Sequence, residues 1–350
     1  MGEGWDGGGN RGSSPPHLDP PPPWGEEVIF LTQLRYYTRY IFKLALKNKR
    51  EPAKLRIMIR CGLARKKQFL ILLLVVFFSS MACGDEANQI SFFYETLIHR
   101  LSQEGFDFEF LSKLLIDPRA GFIPELTTIS LISRETPELY VQFLSQESIL
   151  LSKKFLRQNH NILKQMEKEF HVEKEVIVAI LLVESRFGEN IGKFRVIPTL
   201  ASMALMDSPE NLRKNYLSLQ EIDPELSHEW IEGLAKRKAA WAYHELKCFL
   251  KIIRHEEIDP LEVYGSYAGA LGMPQFIPSS YLAYAVSKKS LGRWLLSKEE
   301  AIFSIGNYLK SHGWKRNLSI KKKKQILWYY NRSGPYVETI LQLAEKIKNR

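Results

Sequence analysis

From Cys83 to the end of the chain, apolar residues recur at intervals of three and four. A segment patterned in this way hides one stripe of its surface as a helix and leaves the opposite face to water. Phe92, Leu97 and Leu101, then Phe108, Leu111, Leu114 and Leu115, predict two short helices, with Asp107 of Gly105-Phe106-Asp107 as the N-cap of the second. Residues 117–135 contain Pro118, Gly121 and Pro124 and read as a loop. Glu147 to Phe170 predicts one long helix; His171 interrupts it and Glu173 begins the next. Residues 207–238 hold polar clusters with Pro209 and Pro224 and read as an insertion lying over the surface. Further helices are expected over Lys238 to His255, Glu299 to His312, Gln325 to Tyr330 and Tyr336 to Ile347. Lys321 to Lys324 reads as a solvated face. There is no hairpin signal, no internal repeat and no alternation of strands with helices. The expected class is mainly α.

The start of the chain is different. Arg65-Lys66-Lys67 precedes an unbroken apolar run from Phe69 to Phe78, followed by Ser79-Ser80-Met81-Ala82-Cys83. A basic segment, a short apolar segment and small residues make an export signal, and the run is too short for a comfortable membrane span. Ser80-Met81-Ala82-Cys83 resembles a bacterial lipoprotein processing site, with Ser80 where leucine is usual. That resemblance implies a signal peptide over 58–82, removal of residues before Cys83 and lipidation of Cys83, whose acyl chains would hold the protein on a membrane. Upstream, Gly4 to Pro23 is rich in Gly, Pro and Ser and is expected to be disordered. Residues 1–57 read as a translated extension upstream of a start at Met58, or as a tail.

The net charge of +10 invites a nucleic-acid reading. Its location argues against one. Residues 1–82 carry 13 Lys/Arg against 6 Asp/Glu, which leaves a nearly balanced 36 against 33 for the remainder. Cys61, Cys83 and Cys248 fit no zinc framework. With Cys83 acylated and the leader removed, Cys248 is alone, and its apolar neighbours predict a buried thiol. His244-Glu245 lacks the second histidine of a zinc-binding helix, and no phosphate-loop pattern is present.

Ile177, Ile180, Leu181 and Glu184 form one stripe of the helix that starts near Glu173, and Phe187 continues it. A carboxylate there is either paired, with Arg186 or Lys193 as partners, or it holds its proton, because burial disfavours the charged form. A carboxylic acid protonated near neutral pH can protonate a leaving oxygen, as glycosidases require. A second unusual segment runs from Gly265 to Tyr281. Its glycines allow close approach of backbone to ligand. Ser266 and Gln275 offer hydrogen-bonding groups, and Tyr267 and Phe276 offer faces for sugar rings.

Val183-Glu184-Ser185-Arg186-Phe187-Gly188 and the Gly265–Tyr281 segment, in that order, resemble the membrane-bound lytic murein transglycosylases of the B type. Gly105-Phe106-Asp107, Asn307-Tyr308, His312-Gly313-Trp314 and Tyr330-Asn331-Arg332-Ser333 with Tyr336 extend the likeness over most of residues 83–350. The resemblance implies a goose-lysozyme-like helical core at about 147–350 with flanking helical parts. It makes Glu184 the sole catalytic acid and base and sets Ser266, Gln275, Tyr330, Asn331 and Tyr336 along the substrate cleft, where Tyr267 and Phe276 are expected to join them through their ring faces. The expected substrate is peptidoglycan, cleaved between N-acetylmuramic acid and N-acetylglucosamine with a 1,6-anhydro product. Expected partners are glycan strands, a membrane through Cys83, and proteins of wall synthesis or division, with no nucleic acid. The expected site is the cell envelope, on the periplasmic face of the outer membrane, with the inner membrane as the alternative. Two departures from the family pattern stand out. Ala285 to Ser290 has no acidic side chain where the family often has an Asp-rich calcium loop, so no metal or other cofactor is expected. The span from Trp314 to Tyr330 is too short for the family's small β-containing part, which is expected to be reduced or absent.

Two other functions compete. A muramidase would use water on the same bond and needs a second carboxylate; Asp259 and Glu262 are the weak candidates. A non-catalytic glycan-binding lipoprotein would have no use for an acid on an apolar stripe.

Overall fold

The computed structural model describes residues 94–349 except 133–134, 222, 255–257 and 287–296. The expectations for residues 1–57, the leader at 58–82 and Cys83 lie outside the described residues. Among the described residues no helix is long and apolar enough to cross a membrane.

The fold is helical, as the periodicity predicts. Helix α1 covers 94–103, and α2 (Phe108–Ile116) starts on Asp107, whose carboxylate accepts from the Phe110 amide at 2.6 Å. The stretch read as a loop contains helix α3 (Pro124–Ile132). Its proline stands in the first turn, where a missing N–H costs nothing, so the residue taken as a breaker is a starter. A four-residue turn of helix, α4 (Pro137–Tyr140), follows in the same manner. The single long helix expected over 147–170 is two, α5 (Gln146–Gln158) and α6 (His160–Phe170), broken at Asn159, whose side-chain amide donates to the Phe155 carbonyl at 2.9 Å. His171 ends α6 in the left-handed conformation (φ 61°), and α7 (Lys174–Ser185) starts after Glu173.

Residues 207–238 do more than lie over the surface. They form α9 (Pro209–Gln220) and the first turns of the 26-residue α10 (His228–Ile253). Leu219, Ile231 and Ala235 enter the main core, as do Leu200 and Met203 of α8 (Val196–Ala204). Helices α11 (Pro278–Tyr284), α12 (Lys298–Ser311), α13 (Ile320–Tyr330) and α14 (Gly334–Lys348) complete the chain. The lysine run lies on α13: Lys321 and Lys322 are exposed, while Lys323 pairs with Glu173 and Lys324 with Glu338. Cys248 is a free, buried thiol.

The only strands among the described residues are β1 (Phe194–Arg195) and β2 (Tyr264–Gly265), paired antiparallel with Phe194 opposite Gly265. No larger β part occupies 314–330, which α13 fills instead.

Two apolar cores result. One is built by α1 to α3 and α8 to α10; the other by α5 to α7 and α12 to α14. The Gly265–Tyr281 segment joins them. Tyr267, Ala268 and Leu271 pack into the first core, Met273 and Phe276 into the second, and Tyr281 touches both. A chain segment that crosses between two cores is held at both ends, so its backbone can keep a defined shape without regular secondary structure.

Candidate active site

Helix α7 is more deeply set than an amphipathic stripe requires. Every residue from Val176 to Ser185 is buried, so all of its faces meet protein. It is enclosed by α5, α6, α12 and α14. Glu184 stands in its last turn at 3% exposure. The alternative of pairing with Arg186 or Lys193 is not realised. Arg186 pairs with Glu147 at 3.2 Å and Glu189 at 3.3 Å, and Lys193 lies over the ring of Phe194.

The end of α7 turns sharply. Arg186 (φ 50°), Phe187 (φ 61°) and Gly188 (φ 92°) are successive left-handed residues, two of them carrying side chains that disfavour it. Compensation comes from both sides. The Phe187 ring stacks on Phe155 with centroids 4.1 Å apart, and the Ser185 hydroxyl accepts from the Gly188 amide at 3.1 Å. The turn frees the backbone beyond Glu184 to meet the Gly265–Tyr281 segment. At Gly192 (φ 101°) a side chain would run into the Gly265 backbone, so this crossing requires glycine.

The Glu184 carboxyl has one partner. The Tyr336 hydroxyl of α14 donates to Oε1 at 2.7 Å, while Oε2 is buried without a hydrogen bond. Burial drives the Glu184 carboxyl well above its ordinary value; the Tyr336 hydrogen bond opposes this and the charge of Glu135 adds to it. Burial thus favours the protonated form of Glu184, and among the described residues its second oxygen has no hydrogen-bond partner.

Tyrosines surround it. Tyr330 and Tyr336 lie nearly parallel at 6.3 Å, and Tyr140 of α4 meets Tyr336 edge-on at 6.2 Å. Burial pushes the Tyr330 and Tyr336 hydroxyls well above their ordinary range, and Glu184 pushes them further whenever it ionises, so both remain neutral donors. The Tyr330 hydroxyl donates to the Pro274 carbonyl at 2.6 Å, which ties α13 to the Gly-rich segment.

The structure thus brings Glu184, Tyr330, Asn331 and Tyr336 together, with Gln275 one residue beyond the Tyr330 anchor. Gln275 takes a left-handed backbone (φ 51°); its amide donates to the Gly272 carbonyl at 2.7 Å and the Ile191 carbonyl at 3.3 Å, while its buried Oε1 has no partner. Ser266, Tyr267 and Phe276 stand differently. The fully buried Ser266 hydroxyl accepts from the Ala268 and Ala270 amides and shapes the loop from within. Tyr267 packs in the first core, and Phe276 packs between Tyr308 and Tyr330. Asp259 and Glu262, the weak candidates for a second carboxylate, lie on the surface in a cluster with Arg119 and play no part around Glu184.

Glu135 was not singled out from the sequence. It lies between α3 and α4, accepts from the Tyr140 hydroxyl at 2.5 Å and from the Asn331 amide at 3.2 Å, and acts electrostatically on Glu184. No motif surrounds Glu135; the one available signal was its closeness in sequence to Tyr140. Among the described residues no cluster of His, Cys, Asp and Glu could hold a metal ion. Of the stretch where a calcium loop was considered, 287–296 lies outside the described residues.

The family model described as a transglycosylase SLT domain matches residues 93–326. Membrane-bound lytic murein transglycosylase B of Escherichia coli (strain K12) is 33% identical over 174 residues, which is 49% of this chain and 40% of that protein. The match thus spans well under half of that relative's length. Among solved structures, the soluble lytic transglycosylase SltB1 of Pseudomonas aeruginosa aligns with TM-score 0.55 at 24% identity, covering 74% of this chain and 98% of that one. SltB3 of Pseudomonas aeruginosa, solved with NAG-anhNAM-pentapeptide, aligns with TM-score 0.57 at 18% identity over 73% of this chain and 80% of that one. These structures share the fold, a lysozyme-like helical core. With a family match that takes in the first core, most of the second, the buried glutamate and the segment bridging them, and that ends before Tyr330, the chain belongs to the transglycosylase SLT domain family.

Proposed function

We propose that this protein is a lytic transglycosylase that cleaves the β-1,4 bond between N-acetylmuramic acid and N-acetylglucosamine in peptidoglycan, with Glu184 as its acid and base. The observation that carries this reading is the buried Glu184 carboxyl, with Oε1 held by Tyr336 and Oε2 without a partner. The names of the Escherichia coli relative and of the SltB3 complex, which holds an anhydro-sugar peptide, support it.

Protonated Oε2 gives its proton to the glycosidic oxygen as the bond from C1 breaks. Positive charge at C1 is relieved by the N-acetyl carbonyl of the substrate. The Glu184 carboxylate, steadied by the Tyr336 hydroxyl, then takes the proton of the C6 hydroxyl, and that oxygen bonds to C1. The result is a 1,6-anhydro sugar and a regenerated acid, with no water consumed. Gln275, Tyr330, Asn331 and Tyr336 would orient the strand; Ser266, Tyr267 and Phe276 would keep the bridging segment in shape beside it.

The catalytic core extends over about 147–350, with α4 packed against it through Tyr140. A leader at 58–82 and a lipid on Cys83 would place it in the cell envelope, on the periplasmic face of the outer membrane, within reach of wall-synthesis or division proteins. Cys83→Ala should abolish fatty-acid labelling and release the protein from membranes; retention of both would sink the anchor. For the reaction, purified peptidoglycan is digested in oxygen-18 water and the products weighed by mass spectrometry. Unlabelled 1,6-anhydro ends are expected, and Glu184→Gln should lose turnover at least about a hundredfold. Labelled reducing ends would make the enzyme a muramidase.

A further inference from the structure

Glu184 and Glu135 occupy two kinds of surroundings. Glu184 is enclosed by apolar and tyrosine side chains. Glu135 is half-buried and accepts hydrogen bonds on both oxygens, one from each of two buried side chains, Tyr140 and Asn331. A carboxylate with a donor on each oxygen and access to water suits an ion. A carboxyl in an enclosed setting suits the neutral acid. Paired carboxyl groups set in contrasting surroundings are a recurrent means of dividing labour at an acid–base site.

The two are linked through tyrosines. The Tyr140 hydroxyl binds Glu135, the Tyr140 ring meets the Tyr336 ring edge-on, and the Tyr336 hydroxyl binds Glu184. The second link is Asn331, which follows Tyr330 at the end of α13 and reaches Glu135 across 196 residues of chain. Three elements thus converge on Glu135: the segment before α4, α4 itself and the α13–α14 junction. Among the described residues, the titratable groups that act on Glu184 or feel its charge are Tyr336 from α14, Tyr330 from α13, Tyr140 from α4 and Glu135; the tyrosines stay neutral, and Glu135 is the one whose charge acts on Glu184.

We propose that Glu135 is the second carboxylate of this site, remaining ionised while Glu184 carries the proton, so that its charge keeps the proton on Glu184 until the sugar takes it. The same charge opposes the positive charge that develops at C1 once Glu184 has delivered its proton. Glu135 is a positioning residue, acting through its field and through Tyr140 and Asn331, with no bond to the substrate. The inference rests on Glu184 being the acid, and the test separates the two.

The test is the pH dependence of kcat on purified glycan strands for the full chain, with Glu135→Gln, Glu135→Asp, Tyr140→Phe and Glu184→Gln, and with folding checked by circular dichroism. Activity at the alkaline end falls as Glu184 loses its proton. Removing a neighbouring negative charge makes that loss easier, so Glu135→Gln should move the alkaline limb to lower pH by on the order of one unit, with KM little changed. Glu135→Asp should restore most of the limb, and Tyr140→Phe should leave it within a few tenths of a unit, since the charge remains. A uniform fall in kcat at every pH with the limb in place would make Glu135 a structural residue and overturn the proposal. So would an unchanged profile. Full activity in Glu184→Gln would overturn the assignment of the acid instead. Labelled reducing ends in wild type that vanish in Glu135→Gln would make Glu135 the base that activates water, and the transglycosylase reading would fall with it.

Discussion

Burial and the Tyr336 hydrogen bond act on Glu184 in opposite directions: the first favours the neutral acid, the second the anion. Burial wins in the resting site, yet the second step of the proposed reaction needs the anion as a base. Tyr336 therefore matters most after the first proton has gone. Tyr336→Phe keeps the ring beside Tyr140 and Tyr330 but removes the donor. A hydrogen bond to a charged group is worth about 1.5–3 kcal/mol, so kcat should fall by roughly ten- to a hundredfold. Because the anion loses support, the alkaline limb of the rate profile should rise in pH, opposite to the shift expected for Glu135→Gln. A limb that stays in place or moves down would show that Tyr336 only packs. Glu184 could be found in the sequence because a carboxylate in register with Ile177, Ile180 and Leu181 breaks a one-dimensional pattern. Glu135 could not, since its meaning comes from Tyr140 and Asn331, and a contact across 196 residues leaves no periodic trace.

At the scale of elements, helix positions were readable and the roles of proline were not. Asp107 and His171 mark helix ends as expected. Pro124 and Pro209 were read as signs of loop and insertion, yet each starts a helix, because proline in a first turn and proline in a turn are alike in sequence. Asn159 broke a helix without any change of hydrophobic period, through a side-chain bond to the backbone that competes with the helix. Of the seven residues expected along the cleft, Ser266, Tyr267, Gln275 and Phe276 belong to the bridging segment and are buried, as are Asn331 and Tyr336, because burial of a loop by two cores is not visible in its composition. The crossing of that segment with the end of α7 yields a sharp prediction. At Gly192 an added methyl group meets the Gly265 backbone in a left-handed conformation, whereas at Gly105, also left-handed (φ 89°), it meets open space. Gly105→Ala should cost about 1–2 kcal/mol from backbone strain alone. Gly192→Ala should cost on the order of 3 kcal/mol or more in denaturant unfolding and should also depress turnover. Equal costs at the two positions would mean that the segment yields easily and that the crossing does not hold the site.

For the molecule as a whole, the carboxyl groups fall into two sets that respond oppositely to pH. Asp117, Asp259 and Glu262 around Arg119, Glu104 beside Lys247 and Tyr243, and Glu173 beside Lys323 are held below their ordinary values. Such groups lend stability above their unfolded values and lose it as pH falls through their folded ones. Exposed pairs of this kind contribute little each, so the acid side of the stability curve should be shallow until about pH 4. The second set is buried. Burial raises Glu184 well above its ordinary value and raises Glu245 to about 7, although Glu245 accepts from the Ser279 amide and hydroxyl, both at 2.8 Å. These groups cost nothing below about pH 4, where folded and unfolded chains are both protonated; above it the unfolded chain ionises first, and stability is lost until the folded group ionises in turn. His244 and His312 are depressed by burial and act the other way, removing stability as pH falls below about 6.5. They are weaker counterweights, since His244 is exposed and His312 half-buried, whereas Glu184 and Glu245 are 3% and 2% exposed. Thermal unfolding should therefore show a maximum near pH 5 and a decline towards pH 8. Glu184→Gln removes one source of that decline: its melting point should match wild type near pH 4 and exceed it at pH 8, even as activity disappears. If the variant instead melts lower than wild type at pH 8, then the Glu184 carboxyl is not protonated in the folded chain. In that case the acid that starts the proposed reaction lies elsewhere.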